Sequence, residues 1–343
     1  MNKETIIVEH PSGQISAKII AHSISPKGKE LITWEIEYPR IILSELNTHR
    51  MLSKNSSSSR AIPINKVIEM VKSNPAMPVR FGQHQPGMQD QGVEFDAKVE
   101  LAGFERKLSG REAWIVAAKN ACQVAEAMHK AGYAKQVVNR ILEPFQRMKT
   151  VISGTELENF FWLRCDADAD PTIEALANAM RGAKERSIPE LLYPGEWHTP
   201  YVEHVYIDNP KKGEPRFNYV VQDSEGNDTI LSTEQAKAIS TSCCAQVSYR
   251  RLDNSKEKAL NIYDKLIDGA KVHSSPLEHQ GSPMEHETQL ERTSYMLSVE
   301  VNQETDFWPE GATHIDRDGV FSSGNFKGWT QHRQLIPNNV KEG

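Results

Sequence analysis

The chain has no apolar run near the roughly 18 residues that span a bilayer, which excludes a helical membrane protein. Charge of one sign is also missing. The sequence carries 46 acidic against 40 Lys and Arg side chains, a net charge of -6. That balance argues against a broad electrostatic grip on nucleic acid and leaves room for one local basic pocket. Cysteine is scarce: Cys122, Cys165, Cys243 and Cys244 are the four in the sequence. Adjacent Cys243 and Cys244 suit a mutual disulfide poorly, and no CxxC pair offers a zinc ribbon. Reduced thiols without a catalytic pattern are the expectation. Internal repeats are absent, and the low-complexity segment is the serine run Ser56 to Ser59. The start, Met1-Asn2-Lys3-Glu4, lacks the apolar stretch of a signal peptide, so a cytoplasmic protein is expected. What remains is a soluble globular chain of 343 residues, 38% hydrophobic and 25% charged, long enough for a sizeable core.

The hydrophobic pattern gives an α+β protein, a mixed sheet with long helices, and no clear linker between two domains. From Leu31 to Glu37 the residues alternate, with Ile32, Trp34 and Ile36 on one face of a strand. Pro39 stands where a helix can begin. Ile42, Leu46, His49 and Leu52 then follow at helical spacing, predicting a helix of about four turns that ends near Asn55. In that helix His49 faces inward, whereas Arg50 projects about 100° away. Residues 74 to 96, rich in Pro, Gly and Gln, predict a long ordered loop. Helices follow on the stripes Trp114–Met128, closed by Gly132, and Val138–Phe145. Leu157, Phe160 and Phe161 mark a third, and Pro171 opens a fourth with Ile173, Leu176 and Met180. Strand-like pieces between 201 and 231 are separated by turn signals. Thr233 is the expected cap of a helix running toward Cys244, and Leu260, Tyr263, Leu266 and Ile267 mark one more.

Three segments carry the chemistry. In residues 49 to 60, HRMLSKNSSSSR, hydroxyls and an Asn are flanked by Arg50 and Arg60. Such a loop can cradle a phosphate through hydroxyls, backbone N–H groups and a bidentate Arg. A solvated serine loop is the other reading. In residues 272 to 279, VHSSPLEH, His273, Glu278 and His279, with His286 nearby, have metal-ligand chemistry. Their spacing matches neither HExxH nor another closed set, so hydrogen-bonded histidines at a packed helix end are preferred. In residues 159 to 166, NFFWLRCD, Arg164 on an aromatic-rich helix needs an anionic or hydrogen-bonding partner. It is either one half of an internal ion pair with Asp166 or Asp168, or a fixed cation aimed at a ligand oxygen. Arg140 on the preceding helix is a second such cation.

Together these segments resemble the flavin-dependent thymidylate synthases. That family carries a signature RHRxxSxNxxSxR, matched here by His49, Arg50, Ser53, Asn55, Ser58 and Arg60. Upstream, LITWEIEYPRIILSELNTHR looks like the strand, proline and helix that lead into it. Arg140 to Pro144 (RILEP) is similar to the family's arginine-to-proline helix, and Asn159 to Arg164 to its NFLxLR segment. The departures are specific: Thr48, Ser56 and Ala61 stand where the family has arginine, an acid and tyrosine. Thr150 to Thr155 replaces its WTxNxR stretch, Asp168 a histidine, and Glu45 a glutamine.

The order of segments is rotated relative to that family. Counterparts of its ARVS and GHxxPFEH segments precede the signature there, but here Ala245 to Ser248 and His273 to His279 come near the end. This order resembles a circular permutation with the usual join between His279 and Leu31 cut. It implies that His279 and Leu31 lie close, and that the strand at 31 to 37 pairs with strands of the C-terminal half. The implied organisation is one catalytic domain over 1–343: a signature half at 31–190, a strand and hairpin insertion at 191–232, a permuted flavin-binding half at 233–290 and a C-terminal extension at 291–343.

The resemblance implies an FAD-dependent enzyme that methylates dUMP at C5, with methylenetetrahydrofolate as carbon donor and NADPH as reductant. A related one-carbon transfer, methylation or hydroxymethylation of dUMP or dCMP, is the alternative in the class. Glu45, Ser57, Ser58, Ser59, Arg60 and Arg140 would hold the pyrimidine deoxynucleotide monophosphate, and Arg164 would bind the base and act catalytically. His49, Arg50, Met51, Asn55, Ser153, Asn159, Leu163, Ser248, Ser275 and Glu278 would line the flavin. The family also implies a homotetramer with shared active sites and no role for metal, membrane or nucleic acid. Two rival classes remain: a nucleic-acid module stacking bases on Trp162 or Trp329, and a metal-dependent hydrolase using His273, Glu278 and His279.

Overall fold

A computed structural model describes residues 6–58, 60–87, 89–223, 226–248, 255–268, 271–298 and 308–340. In chain order the first half forms β1 (Ile7–Glu9), β2 (Ser16–Ile24), β3 (Glu30–Pro39), α1 (Leu43–Asn47) and β4 (Ser53–Ser56). It continues with α2 (Ile64–Ser73), α3 (Gly110–Lys130), α4 (Lys135–Ile141), β5 (Arg147–Gly154), α5 (Glu158–Arg164) and α6 (Pro171–Glu185). Then come β6 (Glu190–Leu191), β7 (Glu203–Tyr206), β8 (Phe217–Gln222), β9 (Asp228–Leu231), α7 (Thr233–Ala245) and α8 (Lys256–Ile267). The end of the chain adds β10 (Gly281–Pro283), α9 (Gln289–Ser298), β11 (His314–Ile315), β12 (Phe321–Ser323), β13 (Phe326–Lys327) and β14 (Trp329–Gln331). The architecture is α+β. Among the described residues no helix is long and apolar enough to cross a membrane.

The main sheet has the order β1-β2-β3-β5-β4 and is antiparallel, with β6 added parallel to the end of β2. β3 is its centre, and most of the side chains on its two faces are buried. Leu31, Ile32, Thr33, Trp34, Ile36 and Tyr38 are all fully enclosed. Its partners are β2 and β5, in the registers Ile19↔Trp34 and Trp34↔Ile152. This corrects the expectation from permuted order: no strand of the C-terminal half pairs with β3 among the described residues. β2 reaches β3 through a turn at Ser25–Lys29 in which Gly28 takes φ +82°. Closing so short a loop costs little entropy, which favours β2 as one of the two neighbours of β3.

Helix α6 covers one side of the sheet, packing Ile173, Leu176 and Met180 with Trp34 and Ile36. Its start is written in the sequence: Pro171 is the first helical residue, and the Asp170 carboxylate accepts from Thr172 N and Ile173 N. Helices α2, α3 and α4 enclose a second core with Val67, Cys122 and Val138. α3 begins in a Ser109–Glu112 capping box, and Gly132 follows its end at φ +89°. A third core joins β8 and α7 to Leu31, Phe326 and Trp329. The antiparallel sheet β7-β8-β9 matches the strand-like pieces expected at 201–231. The cap of α7 is Ser232, one residue before the expected Thr233, because its Oγ reaches Gln235 N in a capping box. Residues 74–109 hold no helix or strand of the named elements, and Arg80–Asp90 and Arg111–Glu94 ion pairs tie their described part down.

The C-terminal part is packed against the signature half. Gly281, two residues after His279, sits so close to Leu31 that a Cβ there would lie 2.8 Å from Leu31 Cδ2. Asn55 Nδ2 donates to Cys244 O at 2.6 Å, and Ser275 Oγ donates to Asn55 Oδ1 at 3.0 Å.

Candidate active site

The signature begins as a helix and does not continue as one. α1 stops at Asn47, residues 48–52 form a turn, and Ser53–Ser56 become an edge strand on β5. The expected four-turn helix to Asn55 is therefore wrong. The reason is local competition: Thr48, Ser and Asn side chains offer the backbone alternatives to helical bonding. Thr48 Oγ1 donates to Glu45 O at 2.7 Å, and Lys54 Nζ donates to His49 O at 2.6 Å and Leu52 O at 2.9 Å. The inward set is nevertheless as the pattern implied, with Ile42, Leu46, His49 and Leu52 buried and Arg50 exposed.

That turn faces the start of α5 across a pocket of about 460 Å³, lined by Thr48, His49, Arg50, Met51 and Leu52 on one wall. Glu156, Glu158, Asn159 and Phe160 form the other. Two segments distant in sequence thus meet. The His49 ring lies edge-on to Phe160 at 4.9 Å. Arg164 Nε donates to His49 Nε2 at 2.8 Å, and Arg164 Nη2 reaches Thr48 Oγ1 at 3.4 Å. Arginine can only donate, so His49 Nε2 is the acceptor and the imidazole proton sits on Nδ1. Burial, and then the charges of Arg164 and Lys54, hold the His49 pKa down at about 4, so the ring is neutral at neutral pH. Arg164 bonds to His49 and Thr48 rather than to Asp166 or Asp168; Asp168 instead accepts from Gln89 Nε2 at 2.9 Å. The apolar enclosure expected around Arg164 is partial. Phe160 and Phe161 are buried, whereas Trp162 is 74% exposed and Leu163 and Met51 are also exposed.

Along β4, Ser53 and Asn55 share a face, since strand side chains alternate. Beside them Glu278 pairs with Arg333, near the Lys54 ammonium. Burial pushes the Glu278 carboxyl up against the opposing pull of Arg333. Burial likewise lowers Lys54 to about 8, against the pull of Glu278. Asn55, Ser275 and Glu278 therefore adjoin one strand. The phosphate-type residues follow at its end: Ser57 N donates to Lys149 O at 2.9 Å and Arg60 N to Ser58 Oγ at 3.3 Å. Arg60 is exposed. Asn139 Nδ2 donates to Ile62 O at 3.0 Å, which fixes α4, and with it exposed Arg140, beside the Arg60 loop. Glu45 is half-buried on α1, its Oε2 accepting from Ser44 Oγ at 2.8 Å.

Ser153 is placed apart from the pocket. Fully enclosed, its Oγ bonds Thr33 Oγ1 at 2.6 Å and His279 Nδ1 at 2.8 Å. Thr33 Oγ1 also bonds His198 Nε2 at 2.8 Å, and His198 Nδ1 bonds Ser23 Oγ at 2.8 Å. This buried chain of hydroxyls and imidazoles spans β2, β3 and β5. Ser59 lies outside the described residues, as does the side chain of Ser248. The histidines weighed as metal ligands are dispersed: His279 belongs to the buried chain, and the His286 ring lies tilted against Tyr295 at 4.7 Å. Among the described residues no three His, Cys, Asp or Glu side chains are grouped to hold a metal ion. Trp329 is fully buried with Nε1 donating to Lys29 O at 3.2 Å, so it cannot be the stacking platform of a nucleic-acid module. Lys54, Glu156, Asn325 and Arg333 belong to the site's surroundings and were missed. Lys54 lies inside the signature, but at a position the pattern leaves open.

Residues 19–190, half of the chain, match the family described as thymidylate synthase complementing protein. The chain belongs to this family. Its members are the flavin-dependent thymidylate synthases that the signature resembles. The matched stretch runs from within β2 to the start of β6 and so contains β3, β4 and β5 of the main sheet, the signature and α5, but not β1. No curated protein matches the chain. Among solved structures, a crystal structure of thymidylate synthase X from Helicobacter pylori with FAD and dUMP is 14% identical. Its alignment has a TM-score of 0.32 and covers 45% of this chain and 67% of that one.

Proposed function

We propose that this chain is an FAD-dependent enzyme that methylates dUMP at C5, taking the carbon from methylenetetrahydrofolate and reducing equivalents from NADPH. The observation that carries the reading is the pocket in which the family signature and the NFFWLR helix meet, with neutral His49 held by Arg164. Its volume lies in the range of small-molecule and cofactor sites. Its donors, Arg50, the Asn159 amide and the His49 Nδ1–H, suit the carbonyls and ring nitrogens of a flavin, so the residues fit the cofactor. His49, Arg50, Met51, Asn159 and Leu163 would hold it, with Asn55, Ser275, Glu278 and Ser248 extending the site along β4. Bound FAD supplies hydride transfer, for which no enzyme thiol is needed. Ser57, Ser58, Ser59, Arg60 and Arg140 bind the nucleotide phosphate and sugar. Arg164, its Nε committed to His49, presents its remaining N–H groups as a fixed cation that stabilises negative charge developing on the pyrimidine.

Glu45 favours a second reading. A carboxylate where the family has glutamine can accept from the exocyclic amine of cytosine, so dCMP, methylated or hydroxymethylated, is the alternative substrate. The exposed apolar side chains Met51, Trp162 and Leu163 beside the pocket support a homotetramer with shared sites. The packing of Gly281 on Leu31 and of Ser275 on Asn55 supports a single permuted catalytic unit. The absorption spectrum of the purified protein tests the proposal. A bound oxidised flavin released as FAD supports it, and a protein that takes up no flavin when FAD is supplied rejects it.

A further inference from the structure

The family match ends at residue 190, yet both walls of the pocket are braced by a hairpin near the end of the chain. On the signature wall, the turn 49–52 exposes three carbonyls that no helix satisfies. Lys54 takes those of His49 and Leu52, and Asn325 Nδ2 donates to that of Met51 at 3.2 Å. The Asn325 amide is used at both ends, because its Oδ1 accepts from Ser53 Oγ at 3.0 Å and Gln331 Nε2 at 2.8 Å. On the opposite wall, Lys327 N donates to Thr155 Oγ1 at 3.0 Å, beside pocket-lining Glu156. The hairpin that carries both contacts is rigidly seated. Phe326 and Trp329 are fully buried, and Gly324 turns at φ +57°, where a Cβ would lie 2.5 Å from Gln331 Oε1.

We propose that Asn325 is a positioning residue: from the tip of the β12–β13 hairpin it fixes the Met51–Ser53 turn relative to the Thr155–Glu156 wall and so sets the shape of the pocket. The ligand it shapes the pocket for, FAD, rests on the function proposed above. An amide is required because one side chain must donate to a carbonyl and accept from a hydroxyl at once. Asn325→Asp keeps the acceptor and loses the donor, placing a carboxylate against Met51 O, and Asn325→Ala loses both.

The test uses the full chain stripped of flavin, with hydrogen exchange of peptides covering 48–53 and 30–39, and titration with FAD. Both variants are expected to speed exchange across 48–53, leave the β3 peptide unchanged, and raise the FAD dissociation constant roughly 3- to 10-fold. Unchanged exchange at 48–53 overturns the proposal. So does faster exchange with unaltered FAD affinity, which makes Asn325 a structural tie alone. Should wild-type protein take no FAD, the functional reading fails separately, and exchange at 48–53 by itself decides whether Asn325 fixes the turn.

Discussion

Replacing Arg164 separates a catalytic cation from a scaffold residue. Arg164 is half-buried, and its guanidinium makes one good contact, Nε to His49 Nε2 at 2.8 Å, and one long one to Thr48. Arg164→Lys keeps the charge but loses the planar fork that reaches the imidazole while leaving other N–H groups for a ligand. A hydrogen bond from a charged donor is worth about 1.5–3 kcal/mol, so turnover should fall roughly 10- to 150-fold. Nucleotide affinity should fall less, because the contribution is larger when charge develops on the base. Stability should also fall, by up to about 1–3 kcal/mol, because the buried His49 Nε2 loses its donor. A spectroscopic readout accompanies the kinetics: in Arg164→Gln the His49 pKa should rise from about 4, yet stay below 6.5 because burial is its larger cause. Steady-state kinetics, nucleotide titration, thermal unfolding and NMR titration of the imidazole follow these separately. An Arg164→Lys protein with full turnover and a markedly lower Tm refutes the catalytic role.

Arg60→Ala should weaken nucleotide binding roughly 10- to 150-fold with flavin content retained, as read by calorimetry and absorbance; equal loss of both makes Arg60 structural. Thr33→Val removes the hydroxyl that bonds His198 Nε2 and Ser153 Oγ in the core, and should cost about 1–3 kcal/mol in urea unfolding without changing FAD affinity. No measurable loss of stability would show that the buried chain does not bind the sheet together. Burial holds His279 and His332 near 3 and His49 near 4, all below the ordinary 6.5. The unfolded chain therefore takes up these protons first, and stability is lost as pH falls from about 6.5 toward 3. His279 and His332 each contribute roughly 2 kcal/mol of that loss between pH 7 and 5, and the less enclosed His49 contributes less. Glu278 and Glu287, raised by burial, offset part of it. Equal urea midpoints at the two pH values would contradict this.

The central strand and the helices α3, α5 and α6 were legible because their periodicity, caps and stops agree with where they pack. The helix through the signature was not. Its apolar spacing from Ile42 to Leu52 is real, and those side chains are buried, but a turn presents the same residues inward. What selects the turn is Lys54 on two carbonyls and Asn325 on a third, and Asn325 carries no local signal that it will return to residue 51. The pairing of β3 was misjudged for a related reason: rotated order in sequence says which segments are near, not which edges bond. The motif residues Asn55 and Ser275 do come together, by a hydrogen bond, whereas Arg333 reaches Glu278, and Glu156 the 48–52 turn, only once the chain is folded. Ser153 shows the limit of transferring a position, since its hydroxyl is bonded into the core here.

A pocket that binds flavin and drives one-carbon transfer to a pyrimidine nucleotide must turn over once without oxygen. A single-turnover reaction under argon tests it most directly, with FAD-loaded protein reduced by NADPH, then mixed with methylenetetrahydrofolate and either dUMP or dCMP. Mass spectrometry of the nucleotide and the flavin spectrum are read together. The expected result is reoxidation of the flavin coupled to formation of dTMP from dUMP. Unchanged dUMP and dCMP, with fully loaded and reduced protein, would contradict it.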